Sequence, residues 1–128
     1  EIGLGIPAEP LFRSSYCGGK FIAANESEND PVIKTEKDKN MTIYGGELEV
    51  TSGMKDALVI GDETNPGTLN VYGGMLTAKA SDGQAIKGYF AKGEGTSVKF
   101  YASDDDVWSP LASDVNTTTK HHFQAKVE

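Results

Sequence analysis

The sequence predicts an all-β chain wound as a right-handed parallel β-helix, a solenoid of about four coils with terminal caps. Three observations predict it. The stretch Met41-Thr42-Ile43-Tyr44-Gly45-Gly46-Glu47-Leu48-Glu49-Val50 returns as Leu69-Asn70-Val71-Tyr72-Gly73-Gly74-Met75-Leu76-Thr77-Ala78 at a spacing of 28 residues. Ala57-Leu58 returns as Ala85-Ile86 at the same 28. Within each copy apolar and polar residues alternate, the period of a strand with one buried face. A constant period of this size marks stacked repeats and outweighs local propensity. The usual crossover preference sets the hand.

Taken in order, residues 1–14 carry Ile2, Leu4, Ile6, Leu11 and Phe12 with two prolines. They read as an N-terminal cap, because the last rung of a repeat stack exposes unpaired backbone and apolar side chains. Residues 15–103 are the repeat coils. A degenerate copy opens them: Tyr16-Cys17-Gly18-Gly19-Lys20-Phe21-Ile22-Ala23 falls on Ile43 to Val50 at a spacing of 27. Pro31-Val32-Ile33 resumes the apolar tail after an acidic turn, and the polar Lys34 to Asn40 run leads into the next copy. In the two clear copies the inward residues are Met41, Ile43, Leu48, Val50, Leu58 and Ile60, then Leu69, Val71, Leu76, Ala78 and Ile86. The Gly-Gly pairs sit at corners between strands, which glycine can turn without strain. A worn fourth copy places Val98, Phe100 and Tyr101 on Leu69, Val71 and Tyr72 at a spacing of 29. Residues 104–128 form a C-terminal cap, in which His121 to Val127 alternates like a closing strand. The whole chain reads as one domain.

Composition narrows the function classes. The 12 basic and 19 acidic residues leave a net charge of −7, which repels phosphate backbones and argues against nucleic acid. No apolar run approaches the length of about 18 residues that membrane insertion requires. The single cysteine, Cys17, excludes an internal disulfide framework and a cysteine-based zinc site. Arg13 is the only arginine, and no acidic column pairs a general acid with a base, so the chain reads as non-enzymatic.

Stacked repeats bring equivalent residues about 4.8 Å apart on one face. The alignment therefore puts Tyr44, Tyr72 and Tyr101 in one outward column, with Cys17 below them. Thr42, Asn70 and Lys99 lie on the same strands and should supply polar contacts beside the rings. A row of exposed aromatics suits a sugar, whose C–H faces stack on aromatic planes. A stack that merely covers a strand is the competing reading. Neighbouring columns hold Lys20, Glu47 and Met75, with an exposed Lys20–Glu47 ion pair, and Ile22, Glu49 and Thr77. No cofactor is expected, except that Asp104, Asp105 and Asp106 offer the oxygens that calcium takes. A solvated acidic turn is the alternative there. His121 and His122 are strand neighbours that should face opposite ways, a poor zinc pair. Asn25, Asn40 and Asn116 stand in Asn-x-Ser/Thr sequons in polar loops.

The phrase Ile43-Tyr44-Gly45-Gly46-x-Leu48-x-Val50, with its Ala85-Ile86-x-Gly88 tail, resembles repeats of the Gly-Gly-repeat, carbohydrate-binding-domain and right-handed parallel β-helix surface proteins of anaerobic, gut-type bacteria. The likeness runs from Tyr16 to Tyr101. It implies an extracellular or cell-surface location, contact with a polysaccharide or a cell-surface ligand, an adhesive role, and in some members calcium. Against this binding module stands a structural reading: a spacer or stacking unit that self-associates end to end through exposed coil edges.

Overall fold

The computed structural model describes residues 15–16, 19–25, 32–35, 40–53, 55–62, 64–105, 107–112 and 116–127. The N-terminal cap expected over 1–14 and Cys17 lie outside them. Among the described residues the chain is all-β, without a helix. Its strands are β1 (Ser15–Tyr16), β2 (Lys20–Asn25), β3 (Ile33–Lys34), β4 (Met41–Ile43), β5 (Glu47–Ser52), β6 (Leu58–Val59), β7 (Thr68–Val71), β8 (Met75–Ala80), β9 (Ile86–Lys87), β10 (Tyr89–Lys92), β11 (Val98–Ser103), β12 (Ser109–Leu111) and β13 (His122–Val127).

These strands form three sheets, ordered β1-β4-β7-β10, β12-β11-β13-β8-β5-β2 and β3-β6-β9. Up to β10 the chain visits the three sheets in rotation, and every pairing made there is parallel. The registers follow the repeat. Tyr16 pairs with Ile43 and Lys20 with Glu47, both 27 apart, while Met41 pairs with Leu69 and Leu48 with Leu76, both 28 apart. Leu58 meets Ile86 in the smallest sheet. A one-residue slip would send every apolar side chain to solvent, so the buried face holds this register.

The expected inward set is buried. Met41, Ile43, Leu48, Val50, Leu58, Leu69, Val71, Leu76, Ala78 and Ile86 are all at 0% exposure, and they belong to one core cluster. Side chains tie equivalent backbone positions of adjoining repeats. Asn40 Oδ1 accepts from Thr68 N at 2.8 Å, and Asp56 Oδ1 accepts from Gln84 N at 2.7 Å. The buried Thr35 hydroxyl accepts from Gly61 N at 2.6 Å, so its burial leaves no acceptor unsatisfied. The Lys20–Glu47 ion pair forms at 3.8 Å with both side chains exposed, and contributes little to stability. At the corner between the first two sheets Gly19, Gly46 and Gly74 repeat the same left-handed backbone, with φ of 77°, 84° and 78°. A Cβ on Gly74 would also strike the backbone of Gly45 and Gly46, so the stacking itself requires glycine.

The fourth copy departs from expectation. The partner of β7 in the next layer is β10, with Phe90 on Leu69 and Lys92 on Val71, a spacing of 21. The seven residues numbered 61–67, between Ile60 and Thr68, have no counterpart in the next repeat, where Gly88 alone joins β9 to β10. The shortfall of seven accounts for the change from 28 to 21. Val98, Phe100 and Tyr101 therefore do not stack on Leu69, Val71 and Tyr72. They lie in β11, which runs antiparallel to β13, and β13 in turn runs antiparallel to β8.

The closing strand expected at the C-terminus is β13, and the segment leading to it runs beside β10, β9 and β8, one strand of each of the three sheets. Asn116 exchanges backbone hydrogen bonds with Phe90 of β10 at 2.9 and 3.0 Å. Ala85 N donates to Lys120 O at 3.0 Å beside β9, and Phe123 then sits opposite Ala78 of β8. Phe90, Phe100 and Phe123 fill the space beneath, with ring centroids 4.7 to 5.7 Å apart. The outermost strand, β12, is short and carries Pro110, features that discourage pairing with another chain.

Candidate functional site

The outward positions of β4, β7 and β10 form one face. Alternation turns Met41, Ile43, Leu69, Val71 and Phe90 inward and leaves Thr42 and Asn70 as an outward, half-buried pair in register, with Ala91 next to Asn70 but buried. One step further along each strand the column reads Tyr44, Tyr72, Gly93. The backbone supports that order, since Tyr72 N donates to Ile43 O at 2.8 Å and Gly93 N donates to Val71 O at 2.6 Å. Tyr44 and Tyr72 are 55% and 44% exposed and stack with ring centroids 5.3 Å apart and planes at 25°. Below them Gly93 lies against the Tyr72 ring so closely that a Cβ there would run into Cγ and Cδ2. The column thus ends in a glycine that makes room for the second ring.

Four of the six expected residues, Tyr44, Tyr72, Thr42 and Asn70, are brought together. Tyr101 and Lys99 are not. Their strand belongs to the six-stranded sheet, where Tyr101 pairs with Gln124 and Lys99 with Lys126. The Lys126 ammonium sits 5.3 Å from the Tyr101 ring centroid. In their place the tyrosine face gains Tyr89, in register with Thr68 and 40% exposed. The signal that could have found it is Gly93-Glu94-Gly95, which matches Tyr72-Gly73-Gly74 at a spacing of 21, with φ of 79° at Gly95 and 78° at Gly74.

Beside Tyr89 the 61–67 excursion overhangs a cleft of about 250 Å³. Ile60, Pro66 and Tyr89 give its apolar walls, and Asp62, Lys87 and Thr117 bring polar groups to it. The excursion is tightly built. Gly67 N donates to Ile60 O at 2.8 Å across its neck, and the Asp62 carboxylate accepts from Thr64 N and Asn65 N at 3.0 and 2.7 Å.

The acidic turn is occupied by its own chain. Asp104 accepts from His121 N at 3.0 Å and from the Lys120 ammonium at 3.2 Å. The His121 hydrogen bond, and then Lys120, hold its carboxyl below the ordinary 3.8. Asp105 Oδ1 accepts from Val107 N at 3.1 Å, and the Ser103 hydroxyl accepts from Asp105 N at 2.9 Å. Asp106 lies outside the described residues. His121 Nδ1 is 2.6 Å from Gly83 O, whereas His122 packs beside Trp108, so the two imidazoles do have separate surroundings. Of the sequon asparagines, Asn40 and Asn116 use their side-chain oxygens on backbone N–H groups of Thr68 and Thr117.

No protein-family model matches the chain, and neither a curated protein nor a solved structure matches it. Among the described residues no helix is long and apolar enough to cross a membrane.

Proposed function

We propose that the chain is a non-catalytic, extracellular or cell-surface binding module that contacts carbohydrate through the Tyr44–Tyr72 face, built on a right-handed parallel β-helix. Rotation of successive strands through three sheets, all parallel as far as β10, supports that architecture. The observation that carries the binding role is the stacked, half-exposed tyrosine pair with Thr42 and Asn70 in register beside it. An aromatic platform binds the apolar face of a sugar, and a few polar groups alongside fix its orientation. Tyrosine, threonine and asparagine side chains position a ligand, and the face they form holds no carboxylate pair of the kind that cleaves glycosidic bonds. Affinity per module is weak, because a shallow surface desolvates little, and several copies supply avidity.

Assembly through coil ends is the second reading. Coverage of the last repeat by residues 116–127 disfavours stacking through that end, and among the described residues β1, β2 and β3 are the strands at the opposite edges, where a second chain would pair. A glycan-array screen of the wild type beside Tyr44→Ala/Tyr72→Ala separates the readings. Loss of a bound glycan in the double variant supports the platform, and equal binding by both removes it. A wild type that binds nothing and sediments as a chain of copies favours assembly.

A further inference from the structure

The 61–67 excursion is not required by the fold, because the next coil crosses the same corner with Gly88 alone. It is nonetheless fixed by a closed neck, an Asp62 side-chain cap and a buried hydrogen bond from Gly61 N to Thr35. Its inner side lines the 250 Å³ cleft. A hydrogen-bonded loop that the scaffold can do without, beside a concave surface, is a place where function resides.

The lining names the ligand class. Tyr89 and Pro66 offer flat apolar surface to a C–H face, with Ile60 at the floor. Asp62 brings an acceptor, Lys87 a donor and Thr117 a hydroxyl, which suit an array of hydroxyls. The two charges are of opposite sign, and Lys87 is already paired with Asp56 at 3.5 Å, so a neutral ligand fits better than an anion or a cation. Tyr89 is also the outward residue at the start of β10, four residues before Gly93, which lies under Tyr72. Four residues of strand cover about 13 Å. A saccharide lying along the strands would therefore pass from the tyrosine stack over Asn70 to the cleft.

We infer that this cleft takes one neutral pyranose unit and serves as the end subsite of a glycan running along β7. The inference rests on the proposed glycan face, but the two can fail separately. The test is a titration of the full, ¹⁵N-labelled chain with methyl β-D-glucopyranoside, methyl β-D-galactopyranoside, methyl α-D-mannopyranoside, cellohexaose and mannohexaose. Two variants accompany it: removal of residues 61–67 with Ile60→Gly, which copies the Gly88 crossing, and Thr117→Arg, which fills the mouth from an exposed position. The expected result is that at least one glycoside shifts the amides of Val59, Gly88 and Tyr89, that either variant abolishes those shifts, and that the matching hexasaccharide binds each variant about tenfold more weakly. If a hexasaccharide shifts only the Thr42 to Tyr72 amides and binds wild type and Thr117→Arg equally, the cleft is refuted and the tyrosine face stands. If the cleft amides shift but Tyr44→Ala/Tyr72→Ala leaves hexasaccharide affinity unchanged, the face is refuted and the cleft stands as an isolated monosaccharide site. Absence of any shift with all five probes overturns the cleft.

Discussion

The rings of Tyr44 and Tyr72 lie 5.3 Å apart, centroid to centroid, although the two residues are 28 positions apart in sequence. Register, not local conformation, brings them together: Ile43 pairs with Val71, and each tyrosine is the next residue along. Both rings stay about half exposed, so the pair does not act as core packing. It presents aromatic surface outward while each ring restricts the rotamers of the other.

An offset aromatic pair contributes about 0.5–1.5 kcal/mol beyond its area when measured by double-mutant cycle. With both rings half in water, the lower end is expected here. Thermal melts of Tyr44→Ala, Tyr72→Ala and the double variant should give a coupling of about 0.5 kcal/mol. Additive effects would show that the two rings do not act as a unit.

Leu76 lies at 0% exposure, with Leu48 on one side and Ala125 on the other in register. A carboxylate there has no partner, and its burial costs several kcal/mol, comparable with the whole stability of a domain of this size. Leu76→Asp should be unfolded by circular dichroism at room temperature. A soluble variant melting like the wild type would disprove this packing.

Phe123 is the strand residue through which the C-terminal segment seals the core, 4.7 Å from Phe90 and 5.7 Å from Phe100. Truncating a fully buried phenylalanine costs about 3–5 kcal/mol. Urea unfolding of Phe123→Ala should show a loss in that range. Because β13 inserts between β8 and β11, amide exchange in both strands should rise with it. A loss confined to β13 itself would mean that the closing strand is a separable appendage.

Asp104 gives the acid response a defined contribution. The His121 N–H and the Lys120 ammonium hold its folded pKa below the ordinary 3.8, so the folded state binds its proton less readily than the unfolded chain. Its contribution is fully present above 3.8 and is lost as pH falls through the lower, folded value. Asp104→Asn should therefore reduce the melting temperature near neutral pH and show a shallower decline below pH 3.8 than the wild type. Equal acid limbs in the two proteins would remove Asp104 from the account.

The strand registers were legible because the repeat is strict wherever two copies have the same length. The registers of β4 on β7, β5 on β8 and β6 on β9 follow directly from the 28-residue spacing. The fourth copy was misaligned for a physical reason. Alternation has a period of only two, so Val98-Lys99-Phe100 matches Leu69-Asn70-Val71 as well as Phe90-Ala91-Lys92 does. The loss of the seven-residue excursion leaves no mark in an alternating pattern, and the corner Gly93-Glu94-Gly95, which does match Tyr72-Gly73-Gly74 at 21, keeps only one of the two paired glycines. The insertion of β13 between β8 and β11 is likewise unreadable, since antiparallel closure depends on which edge remains free. Tyr101 and Lys99 went to the wrong face as a result, and Tyr89 was missed.

Gly93 offers the sharpest test of the tyrosine face, because it supports the site without belonging to it. A Cβ at this position would overlap the Tyr72 ring, while its backbone N–H still bonds Val71 O at 2.6 Å. The Tyr72 ring is half exposed and can swing outward, so the clash is relieved by rotating the ring and not by opening the core. Gly93→Ala should then melt within about 1 kcal/mol of the wild type, as most substitutions away from the core do. Its effect should fall on Tyr72: the stack with Tyr44 is broken, and any glycan held by the pair is lost as fully as in Tyr72→Ala. Combining the two changes should add nothing to either, since residues acting through one ring are not additive. Unchanged glycan affinity in Gly93→Ala, with the ring shown by aromatic ¹³C shifts to have moved, would mean that the sugar does not rest on this stack.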